Sequence, residues 1–191
     1  MSSLPPSLLE RLAASAVAAG EVDAVFGRLD SPFGTLTLVQ SAAGVVRIGF
    51  EEEPLEAVLG SVSDALGPRI VESPAETATA REALQAALEG EPDTPVLPVD
   101  FTLVSGAFRR QVLEELRRVH FGGVVTYGAL AARAGRPRAA RAAGSACARN
   151  PVPLLVPCHR VVPGSGGVGS YGGGPQRKRA LLAMEGVVLE A

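Results

Sequence analysis

The chemistry in this chain concentrates in one run, Asn150-Pro151-Val152-Pro153-Leu154-Leu155-Val156-Pro157-Cys158-His159-Arg160-Val161-Val162. A thiol is a strong nucleophile only as thiolate, and an imidazole beside it can take the proton. The prolines at 151, 153 and 157 are expected to hold the chain extended, with Leu154–Val156 a buried run that delivers Cys158 at its end. In extended backbone the side chains of Cys158 and His159 diverge, so proton transfer between them needs a bridging water or a turn. An inert buried thiol is the commoner fate of a cysteine after an apolar run. Here Asn150, His159 and Arg160 gather around it, and buried strand ends do not usually collect three polar side chains.

Other chemistries find less support. Two cysteines and two histidines cannot build a four-ligand zinc site unless carboxylates join them, so no metal is expected. One cysteine pair does not make a disulfide framework. Glu51-Glu52-Glu53 reads as a solvated loop or helix start, because consecutive carboxylates point in different directions. Gly164–Gly174 holds seven glycines and Tyr171. It lacks the Gly-Lys-Ser/Thr of a phosphate-binding loop and reads as a flexible surface turn.

The elements that must position Cys158 divide the chain in two. At 191 residues, 47% hydrophobic and 20% charged, it can bury a real core and is not disordered. No apolar run approaches the roughly 20 residues of a membrane helix. The N-terminus lacks the layout of a secretory signal, so a cytoplasmic protein is expected. Residues 1–100 carry 16 acids against 5 arginines, whereas residues 101–191 carry 4 acids against 13 bases. Genomic composition explains why arginine outnumbers lysine 17 to 1. It does not explain the partition between halves, which suggests a second unit facing a polyanion.

Residues 1–22 read as a helical extension. Strand-like runs Ala24–Leu29, Thr35–Gln40 and Gly44–Phe50 have the spacing of an antiparallel meander. A helix over Leu55–Leu66, a short strand at Ile70–Val71 and a helix over Ala75–Leu88 follow. Gly90-Glu91-Pro92-Asp93, with Pro95 and Pro98, is the clearest linker. The expected division is therefore residues 1–22, 23–98 and 99–191. In the last part a helix over Gly106–His120 buries Phe108, Val112, Leu113, Leu116 and Val119, with the pairs Arg110–Glu114 and Glu114–Arg118 opposite. Thr126 is the expected N-cap of a helix over Gly128–Ala134. Gly135 ends that helix, and Pro137 is expected to open a second one reaching Arg149. Two short helices around a tight glycine turn form a helix-turn-helix pattern. On the second, Ala140, Ala143, Gly144 and Cys147 make a small-residue inward stripe. Arg138, Arg141, Ser145 and Arg149 share another face, giving charge for phosphates and a thin profile for close approach. A solvated polar face on an ordinary helix is the alternative.

Pro157-Cys158-His159-Arg160-Val161, with its Asn-Pro lead-in and the glycine-rich loop behind it, resembles the signature of the O6-alkylguanine-DNA alkyltransferase (methylated-DNA–protein-cysteine methyltransferase) family. The likeness covers about residues 101–191, from Val125-Thr126-Tyr127 to Met184-Glu185-Gly186, and residues 24–100 only loosely. It implies an α+β fold with a small N-terminal domain, a three-stranded antiparallel meander plus helices, ribonuclease H-like. The C-terminal domain would be mostly helical, with a winged-helix-like helix-turn-helix and the active-site loop. It also implies direct-reversal DNA repair, in which Cys158 takes the alkyl group of O6-alkylguanine irreversibly, once per molecule, after nucleotide flipping. His159 would be a water-mediated base, Glu185 would orient it, and Asn150 would hold the water and the turn. Tyr127 would donate a proton to the guanine and rotate the phosphate. Arg141 would fill the vacated place in the duplex, with Arg138, Ser145, Arg149 and Thr126 on DNA. Val161, Tyr171, Gly172 and Arg160 would form the pocket, Val161 by its carbonyl.

The resemblance implies no cofactor. Its partner would be double-stranded DNA, bound in the minor groove with little sequence preference by a protein that is a monomer and contacts no membrane. Gly172 stands where some relatives have a hydroxyl residue, and Cys147 where many have a bulkier apolar one. Cys147 is not expected to be a second acceptor, nor His120 to be catalytic. A cysteine hydrolase would need an oxyanion hole that the sequence does not display. A lesion-binding relative would lack Cys158, and a transcription regulator of this type would carry a sensor or dimerisation segment.

Overall fold

The computed structural model describes residues 6–91 and 95–188. Residues 1–5 of the N-terminal helix expected from the sequence, and Pro92, Asp93 and Thr94 at the expected linker, lie outside them. The fold is mixed α+β, with a sheet and seven α-helices among the described residues. It divides into two units, Met1–Ala83 with Val96–Leu103 and Leu84–Pro95 with Val104–Ala191. The sequence places a single cut near residue 98. Residues 84–91 fall with the second unit and 96–103 with the first.

In the first unit α1 spans Pro6–Ala18. Strands β1 (Ala24–Ser31), β2 (Gly34–Ser41) and β3 (Gly44–Gly49) form the antiparallel meander. Both hairpins close with the same device. Ser31 Oγ accepts from Phe33 N, and Ser41 Oγ accepts from Ala43 N, each at 3.1 Å. A serine hydroxyl thus caps the amide two residues on and bends the chain. The sheet has four strands, not three. The short β4 (Ile70–Glu72) adds parallel to β1, giving the order β3-β2-β1-β4. A parallel neighbour requires a crossover, and α2 (Leu55–Leu66) supplies it. Val58 and Val62 of α2 pack with Ala24, Phe26, Val39 and Val46 of the sheet. Glu53 folds back to pair with Arg47 and accept from Phe50 N, so this glutamate of the acidic run caps a turn. Helix α3 (Ala78–Leu88) follows, starting three residues later than expected.

In the second unit α4 runs over Ala107–Leu116, and Val112, Leu113 and Leu116 are fully buried. It stops short of His120. Arg118 lies beyond its end and pairs with Glu115, while Glu114 keeps Arg110 at 2.9 Å. Strand β5 (Val125–Thr126) leads into α5 (Tyr127–Arg133), where Thr126 Oγ1 accepts from Ala129 N at 3.1 Å as an N-cap. Gly135, at φ 79°, ends α5. Its amide reaches Ala132 O at 3.0 Å and that of Arg136 reaches Ala131 O at 2.9 Å, a Schellman closure that a left-handed glycine makes cheaply. Helix α6 covers Ala140–Ala148, so Pro137 and Arg138 belong to the turn and not to the first turn of the helix. Helices α4, α5 and α6 pack on one another. Strand β6 (Val161–Val162) pairs parallel with β5, and α7 (Pro175–Met184) opens on Pro175. Among the described residues, no helix is long and apolar enough to cross a membrane.

Candidate active site

Cys158 sits at the start of a single 3₁₀ turn, Cys158–Arg160. The run before it is not an extended buried strand. Leu154 is at φ 74°, Leu154 and Leu155 are only half-buried, and Pro153 and Val156 bridge across them. The chain therefore doubles back, and Asn150 staples the loop. Asn150 Oδ1 accepts from Val152 N at 3.1 Å, and its Nδ2 donates to Val156 O at 2.7 Å and to Cys158 Sγ at 3.2 Å. A non-glycine residue in the left-handed region costs on the order of 1 kcal/mol or more, which these bonds offset.

His159 follows Cys158 on this turn. His159 is 2% exposed, and its Nε2 lies 2.8 Å from Glu185 Oε1. Burial works to raise the Glu185 carboxyl, but hydrogen bonds from His159 and Arg160 outweigh it and leave it at about 2. The ionised carboxylate only accepts, so Nε2 carries the proton and Nδ1 is the basic nitrogen. Burial holds the His159 ring below its ordinary value, against the pull of Glu185, so it is neutral near pH 7. Nδ1 is itself buried with no hydrogen-bonding partner among the described residues. Burial also pushes the Cys158 thiol up, opposed by the amide of Asn150 and by the charge of Lys178.

Cys158 opens into a cleft of about 150 Å³ lined by Tyr127, Gly144, Cys147, Ala148, Ser170, Tyr171 and Gly172. Helix α6 supplies the thin wall: a Cβ on Gly144 would stand 3.7 Å from the Tyr127 ring. Tyr127 OH donates to Ser170 O at 3.4 Å, and burial raises its phenol. Tyr171 meets the His159 ring edge-on, at 6.4 Å between centroids. Cys147 faces this cleft, and burial pushes its thiol up to about 12, so it stays protonated. Arg138, Arg141, Ser145 and Arg149 are all exposed, one row along α6 and the turn before it.

Comparison with known proteins agrees with this geometry. A model of the 6-O-methylguanine DNA methyltransferase DNA-binding domain matches residues 107–187. The chain is 42% identical over 180 residues to the methylated-DNA–protein-cysteine methyltransferase of Rattus norvegicus, covering 83% of this chain and 80% of that one. The protein of that name from Mycolicibacterium paratuberculosis is 37% identical over 160 residues, 82% of this chain and 89% of its own. The chain belongs to the methylated-DNA–protein-cysteine methyltransferase family. Among solved structures, Mycobacterium tuberculosis OGT in complex with DNA superposes with a TM-score of 0.71 at 32% identity, over 84% of this chain and 92% of that one.

Within this family frame, one residue expected in the pocket stands elsewhere. Arg160 does not line the cleft. Its Nε and Nη2 bind Glu185 at 2.9 Å, its Nη1 donates to Val119 O at 2.5 Å, and its guanidinium lies over Phe121 at 5.9 Å. A planar fork matches a carboxylate, and Arg160 is directed to Glu185. Val161 is fully buried in the pairing with β5, and its carbonyl accepts from Lys178 Nζ. Residue by residue, the structure forms two hydrogen-bonded pairs on adjacent residues, Asn150 with Cys158 and His159 with Glu185, with Tyr127, Tyr171 and Gly172 around the cleft. Sequence reasoning missed Lys178, which is fully buried in α7. A signal was available: it is the sole lysine in a chain that otherwise uses arginine 17 times.

Proposed function

We propose that this chain repairs alkylated DNA by direct reversal, moving the alkyl group of O6-alkylguanine onto Cys158 Sγ. The observation that carries the reading is the adjacent pair Cys158 and His159 on one 3₁₀ turn, held by Asn150 and Glu185 respectively, with Cys158 lining a cleft beside an arginine-faced helix. The thiol proton leaves through a water to His159 Nδ1, whose geometry as the bare nitrogen supports that path. Glu185 stabilises the imidazolium so formed. The thiolate attacks the alkyl carbon, an S–C bond forms as the C–O6 bond breaks, and the departing guanine takes a proton from Tyr127. The resulting thioether has no ready leaving group, so each molecule reacts once, with no cofactor.

A stacked base hides O6 from any thiol, so the nucleotide must rotate out of the duplex. The exposed row Arg138, Arg141, Ser145 and Arg149, with Thr126 at the neighbouring helix start, supports a DNA-docking role for α6. In this reading Arg141 enters the duplex and the rest contact phosphates in the minor groove. The slim Gly144 and the side-chain-free Gly172 support a pocket in which backbone groups, not a hydroxyl, meet the base. The same proposal takes the protein as a cytoplasmic monomer. It takes the four-stranded sheet as a ribonuclease H-like domain, and α5 and α6 with the β5–β6 pair as a winged-helix-like one. Incubation with a duplex holding one O6-methylguanine tests it. The lesion should revert to guanine with wild-type protein and persist with Cys158→Ala; reversion by Cys158→Ala would overturn the assignment.

A further inference from the structure

We infer that Phe121 and Gly122, in the turn after α4, are positioning residues of the transfer reaction: they hold the Arg160–Glu185 pair so that the carboxylate faces His159. This rests on the alkyl-acceptor role proposed above. The need for such a hold follows from where Glu185 sits. It caps the C-terminus of α7 and is followed by Gly186 at φ 74°. Helix ends fray, so the end of α7 alone fixes that side chain poorly. Yet the tautomer of His159 depends on it, through the 2.8 Å contact to Nε2.

Helix α4 ends at Leu116, and the chain then turns over His120–Gly123, closed by Gly123 N donating to His120 O at 3.1 Å. Gly122 is the third residue of that turn, at φ 70°, a left-handed conformation that glycine adopts cheaply. Its amide donates to Glu185 Oε2 at 3.3 Å. The backbones approach so closely that a Cβ on Gly122 would stand 3.1 Å from Glu185 O. Oε2 also accepts from Arg160 Nε, and Oε1 from Arg160 Nη2, both at 2.9 Å. An ionised carboxylate offers about four lone-pair sites. These three donors leave one direction, on Oε1, and His159 takes it.

The same turn holds Arg160. Its Nη1 donates to Val119 O at 2.5 Å, and its guanidinium lies over the Phe121 ring, 5.9 Å from the centroid. A guanidinium is attracted to the negative face of an aromatic ring, and the ring occupies space that water would otherwise take. The side chains of Arg160 and Glu185 are only 14% and 8% exposed. A pair so far out of water is held in place when its remaining donors and acceptors are also satisfied. Val119 O, the Phe121 face and Gly122 N supply that second set of contacts. Leucine at 121 would keep apolar bulk but lose the charged face of the ring, whereas tyrosine would keep it.

With two histidines in the chain, the readout is simple. Protein labelled with ¹⁵N in its histidine rings gives two sets of signals, assigned through His120→Gln, and those of His159 report which nitrogen carries the proton. They are recorded for wild type, Phe121→Leu and Phe121→Tyr, beside single-turnover methyl transfer from damaged duplex. Phe121→Leu should slow transfer about tenfold and draw the His159 signals toward an average of two tautomers. Phe121→Tyr should stay near wild type in both. Unmoved His159 signals or an unchanged rate in folded Phe121→Leu would overturn the inference, as would Phe121→Tyr as slow as the leucine variant. Hydrogen exchange on wild type tests Gly122, an exposed residue whose amide the bond to Glu185 should protect at least about tenfold. Exchange at the unstructured rate would overturn its part, and this measurement decides alone if the Phe121 variants do not fold. No methyl transfer by wild type, with the His159 and Gly122 results intact, would instead overturn the alkyl-acceptor reading.

Discussion

His159 meets Glu185 through Nε2 at 2.8 Å, while Nδ1 of the same ring is buried and bare. Glu185 therefore fixes which nitrogen carries the proton and leaves the other as the base. The same carboxylate is held from the other side by Arg160, so a single glutamate after α7 ties down both residues that follow Cys158.

Glu185→Gln should slow methyl transfer from damaged duplex by about 100-fold or more, the usual scale of a general base. It should also destabilise the fold by about 3 kcal/mol, because Arg160 loses a buried partner. Single-turnover rates and urea unfolding check both. A variant as fast as wild type would remove Glu185 from the proton path.

Acid should destabilise the protein in two stages. The His159 ring is held below its ordinary value, so the unfolded ring takes up a proton first and stability falls as pH drops below about 6.5. Glu185, near 2 when folded, contributes stability above its ordinary 4.5 that is lost as pH falls toward 2, on the order of 3 kcal/mol. Urea midpoints between pH 8 and 2 measure both stages. The early loss should shrink in His159→Gln, which has no ring to titrate; an unchanged decline there would assign it to other groups.

The sequence made the acceptor loop legible because its residue types are unusual together: Asn150, Cys158, His159 and Arg160 sit within eleven positions. It misjudged the path between them, since three prolines suggest extended backbone and nothing marks Leu154 as the left-handed residue of a tight turn. The resemblance places Arg160 in the pocket. A 3₁₀ turn sends neighbours in different directions, and Arg160 went to Glu185. The meander and α2 were readable from period and turn residues. The three-residue β4 was seen as a strand but not as the parallel partner of β1, since pairing depends on residues 46 positions apart in the chain. Lys178 was hidden for a different reason: lysine is ordinarily a surface residue, and only packing reveals a buried one.

Replacing Arg138 or Arg149 by Ala should weaken duplex binding about equally for all sequences and flatten its salt dependence, by about one unit of slope for each phosphate no longer neutralised. Arg141→Ala should in addition slow transfer from bound duplex. Reaction of Cys158 with iodoacetamide should be unchanged in all three. Binding measured against salt, beside the thiol assay, separates docking from chemistry, and a slowed iodoacetamide reaction would contradict the division of roles.

Cys147→Ala should keep a full equivalent of methyl transfer, because the Cys147 thiol, at about 12, stays protonated at working pH. The cost should be a modest loss of stability, about 1 kcal/mol, from the buried sulfur. Unfolding midpoints and transfer stoichiometry check it; a halved stoichiometry would make Cys147 a second acceptor.

The most direct measurement follows label from a duplex carrying one radiolabelled O6-methylguanine, added in excess over protein. Wild type should take up label to a plateau near one per molecule, on the peptide holding Cys158, and Cys158→Ala should take up none. Tight binding of the damaged duplex with no label on wild-type protein, or label accumulating beyond one per molecule, would contradict the account.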